Sequence, residues 1–273
     1  MQKRSLSRIS EFQDAVYQHD RMYRRRFPWR ETRDPYHIWV SEMMLQQTQA
    51  DRVVKKYDEF LHTFPTVDTL ARASQKHVLK RWQGLGYNRR AMLLHRASKV
   101  VSRTYKGLLP SSIEELEALP GIGPYTARAI LTFAFNIPVV LIETNIRTAF
   151  IHHFFSKTKK KINDREILPY IEVAIDTKKP AYWYGALMDY GAMIKRTRVN
   201  PGRRSTHHVK QSSFLGSNRQ LRGKILRITL RSKQTLDDLI HECSAFSSKQ
   251  VEDTVSRLSH EGMIRQQGRY FLV

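Results

Sequence analysis

Residues 117–130, EALPGIGPYTARAI, form the segment that most restricts how this chain can fold. Gly121 and Gly123 tolerate backbone conformations closed to residues with a Cβ, and Pro124 suits the first turn of a helix. The pattern predicts a tight turn that runs directly into a helix. The first N–H groups of that helix lack partners within it, so Gly121, Ile122 and Gly123 are candidate contacts to a phosphate. Such a contact would hold nucleic acid without selecting its sequence.

The net charge favours the same class of partner. The chain has 47 Lys and Arg residues against 25 Asp and Glu, a formal charge of +22. A field of this sign attracts polyanions, which favours nucleic acid over the alternative of a merely solvated basic surface.

Cysteine content and hydropathy limit the class further. Cys243 is the one cysteine, which excludes an intrachain disulfide and a multi-cysteine metal site and suits a reducing compartment. The sequence shows neither a signal peptide nor an apolar run of about 18 residues that would span a membrane. We expect a protein that is not secreted, contacts no membrane and, in a prokaryote, is cytoplasmic and nucleoid-associated.

The periodicity of apolar residues predicts a mainly α-helical chain. Asp34 is expected to cap a helix that runs to about residue 47, and Thr48 with Asp51 resembles a capping box for the next helix. Ser111 and Glu114 are expected to cap the helix that enters the glycine turn.

The C-terminal part reads as a separate region. Residues 206–216 are basic, polar and turn-rich, which indicates a linker between a core at 1–205 and a small domain at 217–273. Three helical patterns and two short strands around Gln267 and Gly268 predict a winged-helix-like domain, with a generic helical appendage as the alternative.

Six segments occur in a fixed order along the chain. They are FPWR (27–30), DPYHIWVSEMMLQQTQ (34–49), FPTVDTLA (64–71), WQGLGYNRRAMLLH (82–95), LPGIGPYTARAI (119–130) and ALMDYGAMI (186–194). Together they resemble the helix-hairpin-helix (HhH-GPD) DNA glycosylases and, within them, the adenine glycosylase (MutY) branch, of which SEMMLQQTQ is typical. The resemblance implies a two-lobed all-helical fold, with a six-helix lobe at about 31–135 and a second lobe from about 1–30 plus 136–205.

Glu42 is the candidate general acid. It lies in sequence among Trp39, Met43 and Met44, and apolar neighbours raise the pKa of a carboxyl group and keep it protonated. The resemblance implies that Glu42 protonates the leaving base, whereas the alternative is an ordinary surface glutamate on a helix.

The resemblance also implies how DNA is held. Gln46, Gln47 and Thr48 would form a wedge that fills the gap left by an extruded base, because amides can both donate and accept hydrogen bonds. Arg89, Lys195 and Arg196 are further candidate DNA contacts, and Trp29, Arg30 and Met188 are candidate residues of the base pocket.

Tyr125 bears on the type of reaction. Bifunctional relatives such as endonuclease III carry a lysine at this place in the motif, whose amine forms a Schiff base and cleaves the strand. Because a phenol cannot do this, the resemblance implies a monofunctional enzyme in which Tyr125 positions the sugar. A buried structural tyrosine is the alternative.

Glu143 departs from the family pattern, which has aspartate in the segment matching VVLIETNIRTAF (139–150). The extra methylene displaces the carboxylate by roughly 1.5 Å, a shift that can cost a catalytic site about 10²-fold. We expect Glu143 to stabilise the positive charge that develops on the sugar, with Thr144 and Asn145 capping the following helix. The alternative is that Glu143 merely caps that helix itself.

Metal binding is the second departure. Most of the family has cysteines that hold an iron–sulfur cluster, and the corresponding positions here are near Lys195, Gly202, Ser205 and Gln211. Since none of these is a thiolate, we expect no cluster, no metal and no other cofactor.

The third departure is the tail. Many adenine glycosylases end in a larger Nudix-like domain, whereas the region predicted here is a smaller, winged-helix-like domain.

Taken together, the motifs and the resemblance predict a monomeric, monofunctional glycosylase that acts on duplex DNA with a mispaired or damaged base, most simply adenine opposite 8-oxoguanine or guanine. Two alternatives stay open: a thymine or uracil glycosylase acting on T:G or U:G pairs, and a DNA-binding protein without catalytic activity.

Overall fold

The computed structural model describes residues 2–210 and 213–273, and these residues are mainly helical, as predicted. The helices are α1 (Gln2–Tyr23), α2 (Pro35–Leu45), α3 (Ala50–Thr63), α4 (Val67–Arg72), α5 (Gln75–Trp82), α6 (Arg89–Thr104), α7 (Ile113–Glu117), α8 (Pro124–Phe133), α9 (Thr144–Phe154), α10 (Asp164–Ala174), α11 (Pro180–Thr197), α12 (Asn218–Arg231), α13 (Leu236–Glu242) and α14 (Ser248–His260). The strands are β1 (Gln234–Thr235), β2 (Arg265–Gln267) and β3 (Tyr270–Leu272). Within the described ranges, no helix has both the length and the apolar character needed to cross a bilayer.

The chain divides into two compact units. The first comprises Met1–Glu42, Pro110–Ala118 and Ile122–Lys210, and the second comprises Met43–Leu109, Leu119–Gly121 and Gln211–Val273. The division falls within α2, directly after Glu42.

Aromatic side chains form the centre of the core of the first unit. The ring of Phe12 on α1 lies 4.8 Å from that of Phe150 on α9 and 6.0 Å from that of Trp183 on α11. Burying side chains of this kind contributes about 1.5–3 kcal/mol each. Gly191 lets α11 approach α9 closely, because a Cβ there would lie 2.1 Å from the carbonyl oxygen of Asn145. This packing fixes the start of α9, where Glu143 lies.

Helices α3 to α6 form the other half of the fold, within the second unit. Phe60 on α3 packs edge-on against Trp82 on α5, with ring centroids 5.8 Å apart. Gly121 belongs to this unit and has a φ of +82°, and a Cβ there would lie 2.6 Å from the Cβ of Leu93. Both its conformation and its surroundings therefore require glycine.

The C-terminal region has the element order predicted for a winged helix. Strands β2 and β3 form the expected antiparallel hairpin, and Gly268 turns between them with a φ of +60°. Strand β1 adds to the other edge of β3, with Gln234 opposite Phe271, to give the strand order β1-β3-β2. The sequence pattern did not indicate β1, because a strand of two residues is too short to show alternation.

The caps predicted for α3 and α7 are wrong. Helix α3 begins after Gln49, whose side chain makes no cap hydrogen bond, so Thr48 and Asp51 do not form a capping box. Helix α7 is capped by Ser112, which accepts from the N–H of Glu115, one residue later than expected. The cap at Asp34 is confirmed, since its Oδ1 accepts from the N–H groups of residues 36 and 37 at 2.8 and 3.1 Å.

Candidate active site

Glu42 lies on α2, a helix that carries few polar residues. Its neighbours Trp39 and Val40 are fully buried, and Glu42 itself is 7% exposed. Burial, and next the charge of Glu143, raise the pKa of the Glu42 carboxyl group from 4.5 to about 7. A carboxyl group with this pKa keeps a substantial protonated fraction, roughly half, near neutral pH, and the protonated form is the state that a general acid requires.

Tyr125 lies in the first turn of α8, directly after the residues that turn the chain into the helix. Its hydroxyl group hydrogen-bonds with Glu42. Burial, followed by the negative charges of Glu42 and Glu143, raises the pKa of Tyr125 well above its ordinary value. The phenol therefore stays protonated and acts as the donor to the carboxyl group.

Glu143 is the N-cap of α9. Its Oε1 accepts hydrogen bonds from the N–H groups of Asn145 at 2.7 Å and Ile146 at 2.9 Å. The expectation that Thr144 and Asn145 cap this helix is wrong, because α9 begins at Thr144 and Glu143 itself occupies the capping position.

Two opposing influences act on the Glu143 carboxyl group. Burial has the larger effect and raises its pKa, while the two backbone N–H groups and the positive charges of Lys195 and Arg147 act to lower it. The N–H groups and the cations favour the ionised form, which makes Glu143 better suited than Glu42 to carry the negative charge. Capping the helix and carrying this charge are therefore compatible roles for one side chain.

The two carboxyl groups differ in what surrounds them. Burial raises the pKa of both, but Glu143 also accepts hydrogen bonds from two backbone N–H groups, which favour its charged form. Glycoside hydrolysis uses such a pair, in which the acid protonates the leaving group and the carboxylate stabilises the positive sugar. The first unit thus has the groups that this chemistry needs.

Arg30 is held by an ion pair that the sequence did not reveal. Its Nη1 lies 2.7 Å from Oδ2 of Asp189 on α11, and its Nη2 donates to the carbonyl oxygen of Gly185 at 3.1 Å. Arg25 also pairs with Asp189 at 2.6 Å. A lone aspartate in the otherwise apolar segment ALMDYGAMI was the available signal. The positive charge of Arg30 also lowers the pKa of Glu42, against the effect of burial.

The other predicted pocket residues lie in the same unit as Arg30. Trp29 is buried and stacks on Phe27 with ring centroids 4.9 Å apart. Met188 is partly buried and packs against the aromatic core of the unit. A contact of Trp29, Arg30 or Met188 with an extruded base remains a prediction.

The predicted wedge follows α2 in the second unit. Gln47 is exposed and has a φ of +55°, a left-handed conformation that is uncommon for a residue with a side chain. Arg90 holds this corner from beneath, since it donates to the carbonyl oxygens of Met43 at 2.9 Å and Met44 at 2.8 Å and to Oγ1 of Thr48 at 3.1 Å. Gln46 also offers its carbonyl oxygen to Arg90. Sequence reasoning missed Arg90, because a second arginine in NRRAM gives no sign that it is buried.

The candidate phosphate contacts have the predicted local geometry. Gly123 is the N-cap of α8 with no side-chain cap bond, and Pro124 is the first residue of the helix. Arg89 and Arg196 are exposed, and Lys195 donates to Oδ1 of Asn145 at 3.3 Å. Their binding to DNA, together with that of Gly121 and Ile122, stays a prediction.

The loop after α11 does not offer ligands for an iron–sulfur cluster. Gly202 packs against Thr148, where a Cβ would lie 2.6 Å from the threonine Oγ1, and Ser205 is buried and bridges to Ile162. Lys195 is a cation, and Gln211 lies outside the described residues. The one cysteine, Cys243, is buried at the end of α13 in the second unit. Because thiolates bind such clusters, the residues present do not fit one.

The chain is similar to known DNA repair proteins. Residues 40–169 match the family described as "HhH-GPD superfamily base excision DNA repair protein". An adenine DNA glycosylase from Buchnera aphidicola subsp. Baizongia pistaciae is 36% identical over 175 residues, which is 63% of this chain and 49% of that protein. An adenine DNA glycosylase from Mycolicibacterium smegmatis is 33% identical over 230 residues, or 78% of each chain.

A solved structure shows the same fold. A thermostable thymine-DNA glycosylase matches with a TM-score of 0.65 and 27% identity, over 71% of this chain and 91% of that one. The chain spans about half the length of the Buchnera relative, but it covers 78% of the Mycolicibacterium protein. The chain therefore belongs to the adenine DNA glycosylase family of the HhH-GPD superfamily.

Proposed function

We propose that this protein is a monofunctional DNA glycosylase of base excision repair, which extrudes and removes adenine mispaired with 8-oxoguanine or guanine. The observation that carries the proposal is the raised pKa of the buried Glu42 carboxyl group, beside Tyr125 and Glu143. The relatives from Buchnera and Mycolicibacterium are named adenine DNA glycosylase, which supports the same activity.

The reaction follows from the two carboxyl groups. Glu42 donates its proton to a ring nitrogen of adenine, and the glycosidic C–N bond breaks with its electron pair going to the base. The Glu143 carboxylate stabilises the oxocarbenium-like sugar that remains. Water then adds to the sugar carbon and its proton returns to Glu42, which leaves an abasic site and a regenerated acid.

Strand cleavage is not part of this reaction. A lyase needs an amine to form a Schiff base with the sugar, and the phenol of Tyr125 cannot do this. Tyr125 instead donates to Glu42 and positions the sugar beside it. The DNA strand therefore stays intact until alkali is added.

Double-stranded DNA is the proposed partner, and the protein acts as a monomer. The formal charge of +22 favours a polyanion, and the N-terminus of α8 presents backbone N–H groups for a phosphate. Gln46, Gln47 and Thr48 enter the duplex and replace the hydrogen bonds that the extruded base loses. The proposed activity uses no iron–sulfur cluster, because the corresponding positions supply no thiolate. The loop after α11 is joined to the rest of its unit by hydrogen bonds such as that from the N–H of Ile162 to the carbonyl oxygen of Arg204 at 2.8 Å.

A second candidate activity is removal of thymine or uracil opposite guanine. The likeness to a thermostable thymine-DNA glycosylase favours it. These bases leave as anions and need less help from a protonated Glu42, so the raised pKa of that group argues for adenine.

A panel of duplexes tests these possibilities. Base release is measured on A:8-oxoG, A:G, T:G and U:G pairs, and strand nicking is scored with and without alkali. We expect release of adenine and nicking only after alkali. Release confined to T:G or U:G would favour the second candidate, and no release on any duplex would favour a binding protein without catalytic activity.

A further inference from the structure

The second unit contains a cavity that the excision chemistry does not use. It has a volume of 290 Å³ and lies between the wedge residues Gln46 and Gln47, the turn at residues 86–88 and the start of α12. Four of its lining residues are arginines: Arg89, Arg90, Arg219 and Arg222. Among the described residues that line it there is no aspartate or glutamate.

These arginines differ in what they already contact. Arg90 is buried and donates to carbonyl oxygens, so it forms the floor of the cavity. Arg219 is partly exposed and donates to Oη of Tyr87 at 2.9 Å. Arg222 pairs with Glu261 at 2.6 Å, with both side chains more than a quarter exposed. Arg219 also donates to the carbonyl oxygen of Ser213 at 3.4 Å. Both side chains are partly exposed, so their positive charges are available to attract an anion in the cavity.

Charge within the winged helix is concentrated on the helix that reaches this cavity. Helix α12 carries Arg219, Arg222, Lys224, Arg227 and Arg231 and no acidic residue. The third helix, α14, carries Glu252 and Asp253 beside Lys249 and Arg257, so its charges cancel. Because α14 lacks a basic face, α12 is the part of this region best suited to a polyanion.

We propose that the cavity binds a backbone phosphate of the duplex beside the wedge, with Arg219 and Arg222 as ligands from the C-terminal region. The proposal rests on the DNA-binding function given above. A phosphate accepts hydrogen bonds and donates none, which matches a lining dominated by guanidinium donors. The winged helix then contributes directly to DNA affinity, through its first helix.

The test compares two pairs of substitutions on the same helix in the full chain. Arg219→Gln with Arg222→Gln removes two charges from the cavity, and Arg227→Gln with Arg231→Gln removes two charges from exposed positions outside it. The equilibrium constant for binding an A:8-oxoG duplex and a matched undamaged duplex is measured from about 50 to 200 mM salt. We expect the first pair to reduce the slope of log K against log salt by about 1 on both duplexes, because one phosphate contact is lost, and the control pair to reduce it by less than half as much.

Three results would overturn the proposal: an unchanged slope for the cavity pair, an equal change for the control pair, or a loss confined to one opposite base. Arg219→Lys with Arg222→Lys is the control for loss of folding. This variant keeps both positive charges, so we expect it to keep the slope of the unmodified protein. Excision by the unmodified protein is scored separately. If the unmodified protein excises adenine at a normal rate but the cavity pair leaves the slope unchanged, this inference alone is refuted. If the unmodified protein does not excise the base but the cavity pair changes the slope as expected, the proposed function alone is refuted.

Discussion

The hydroxyl group of Tyr125 donates a hydrogen bond to the carboxyl group of Glu42. The bond favours the charged carboxylate, so it lowers the pKa of Glu42 against the larger effect of burial. Tyr125 thereby increases the ionised fraction of Glu42 at a given pH.

Removing this hydrogen bond should move the pH dependence of catalysis. Glu42 is active when protonated, so the single-turnover rate of adenine release is expected to fall as pH rises through about 7. In Tyr125→Phe the pKa of Glu42 rises further, and the falling limb moves to higher pH. A limb that moves to lower pH would contradict the hydrogen-bond assignment, and Tyr105→Phe, in the other unit, is the control that should not move it.

The stability of the fold should also depend on the ionisation of the Glu42 carboxyl group. Its pKa is raised from 4.5 to about 7 in the folded protein. A group with a raised folded-state pKa stabilises the fold below its unfolded pKa, and this contribution is lost as pH rises through the folded pKa. The shift corresponds to a loss on the order of 3 kcal/mol.

The variant Glu42→Gln has no such group. Relative to the unmodified protein, we expect its free energy of unfolding to gain on the order of 3 kcal/mol between about pH 4 and pH 8. Urea unfolding at both pH values measures this difference. A difference that does not depend on pH would show that Glu42 ionises in the folded protein as it does in the unfolded chain.

Two substitutions of Glu143 separate its role as a helix cap from its role as a negative charge at the site. In Glu143→Gln the amide oxygen can still accept from the N–H groups of Asn145 and Ile146, but the charge is gone. We expect the rate of base release to fall by about 10²-fold or more while the cap is largely kept. Glu143→Ala also removes the cap, at a cost of about 1 kcal/mol in unfolding free energy. Full activity in Glu143→Gln would leave Glu143 as a helix cap only.

Iron analysis tests the proposed absence of a cluster. Lys195, Gly202 and Ser205 supply no thiolate, so protein purified without oxygen should contain no stoichiometric iron or acid-labile sulfide. A chelator should change neither its thermal stability nor its rate of base release. Stoichiometric iron and sulfide would contradict the account of this loop.

Local chemistry in the sequence predicted a large part of the fold. The glycine turn before α8, the cap at Asp34 and the C-terminal hairpin each depend on neighbouring residues, and each is found in the structure. The caps proposed at Thr48 and Thr144 failed because neighbouring polar residues compete for one position, and spacing alone does not decide which residue ends outside the helix.

The rest depends on contacts between residues far apart in the chain. Asp189 binds Arg25 and Arg30 across more than 150 residues, and Arg90 binds backbone carbonyl groups, which are present at every position. Residue types and spacing do not show which residues these side chains bind, although the lone aspartate in ALMDYGAMI indicates a buried charge. The family resemblance placed Glu42, Tyr125 and Glu143 as candidates, but only the fold shows that they share one site.

Single-turnover excision of adenine from an A:8-oxoG duplex by Glu42→Gln decides whether Glu42 is the acid of an adenine glycosylase. The amide has nearly the same shape but no transferable proton, so we expect adenine release to be lost while duplex affinity stays within about threefold of the unmodified protein. Adenine release by Glu42→Gln at the full rate would contradict the assignment.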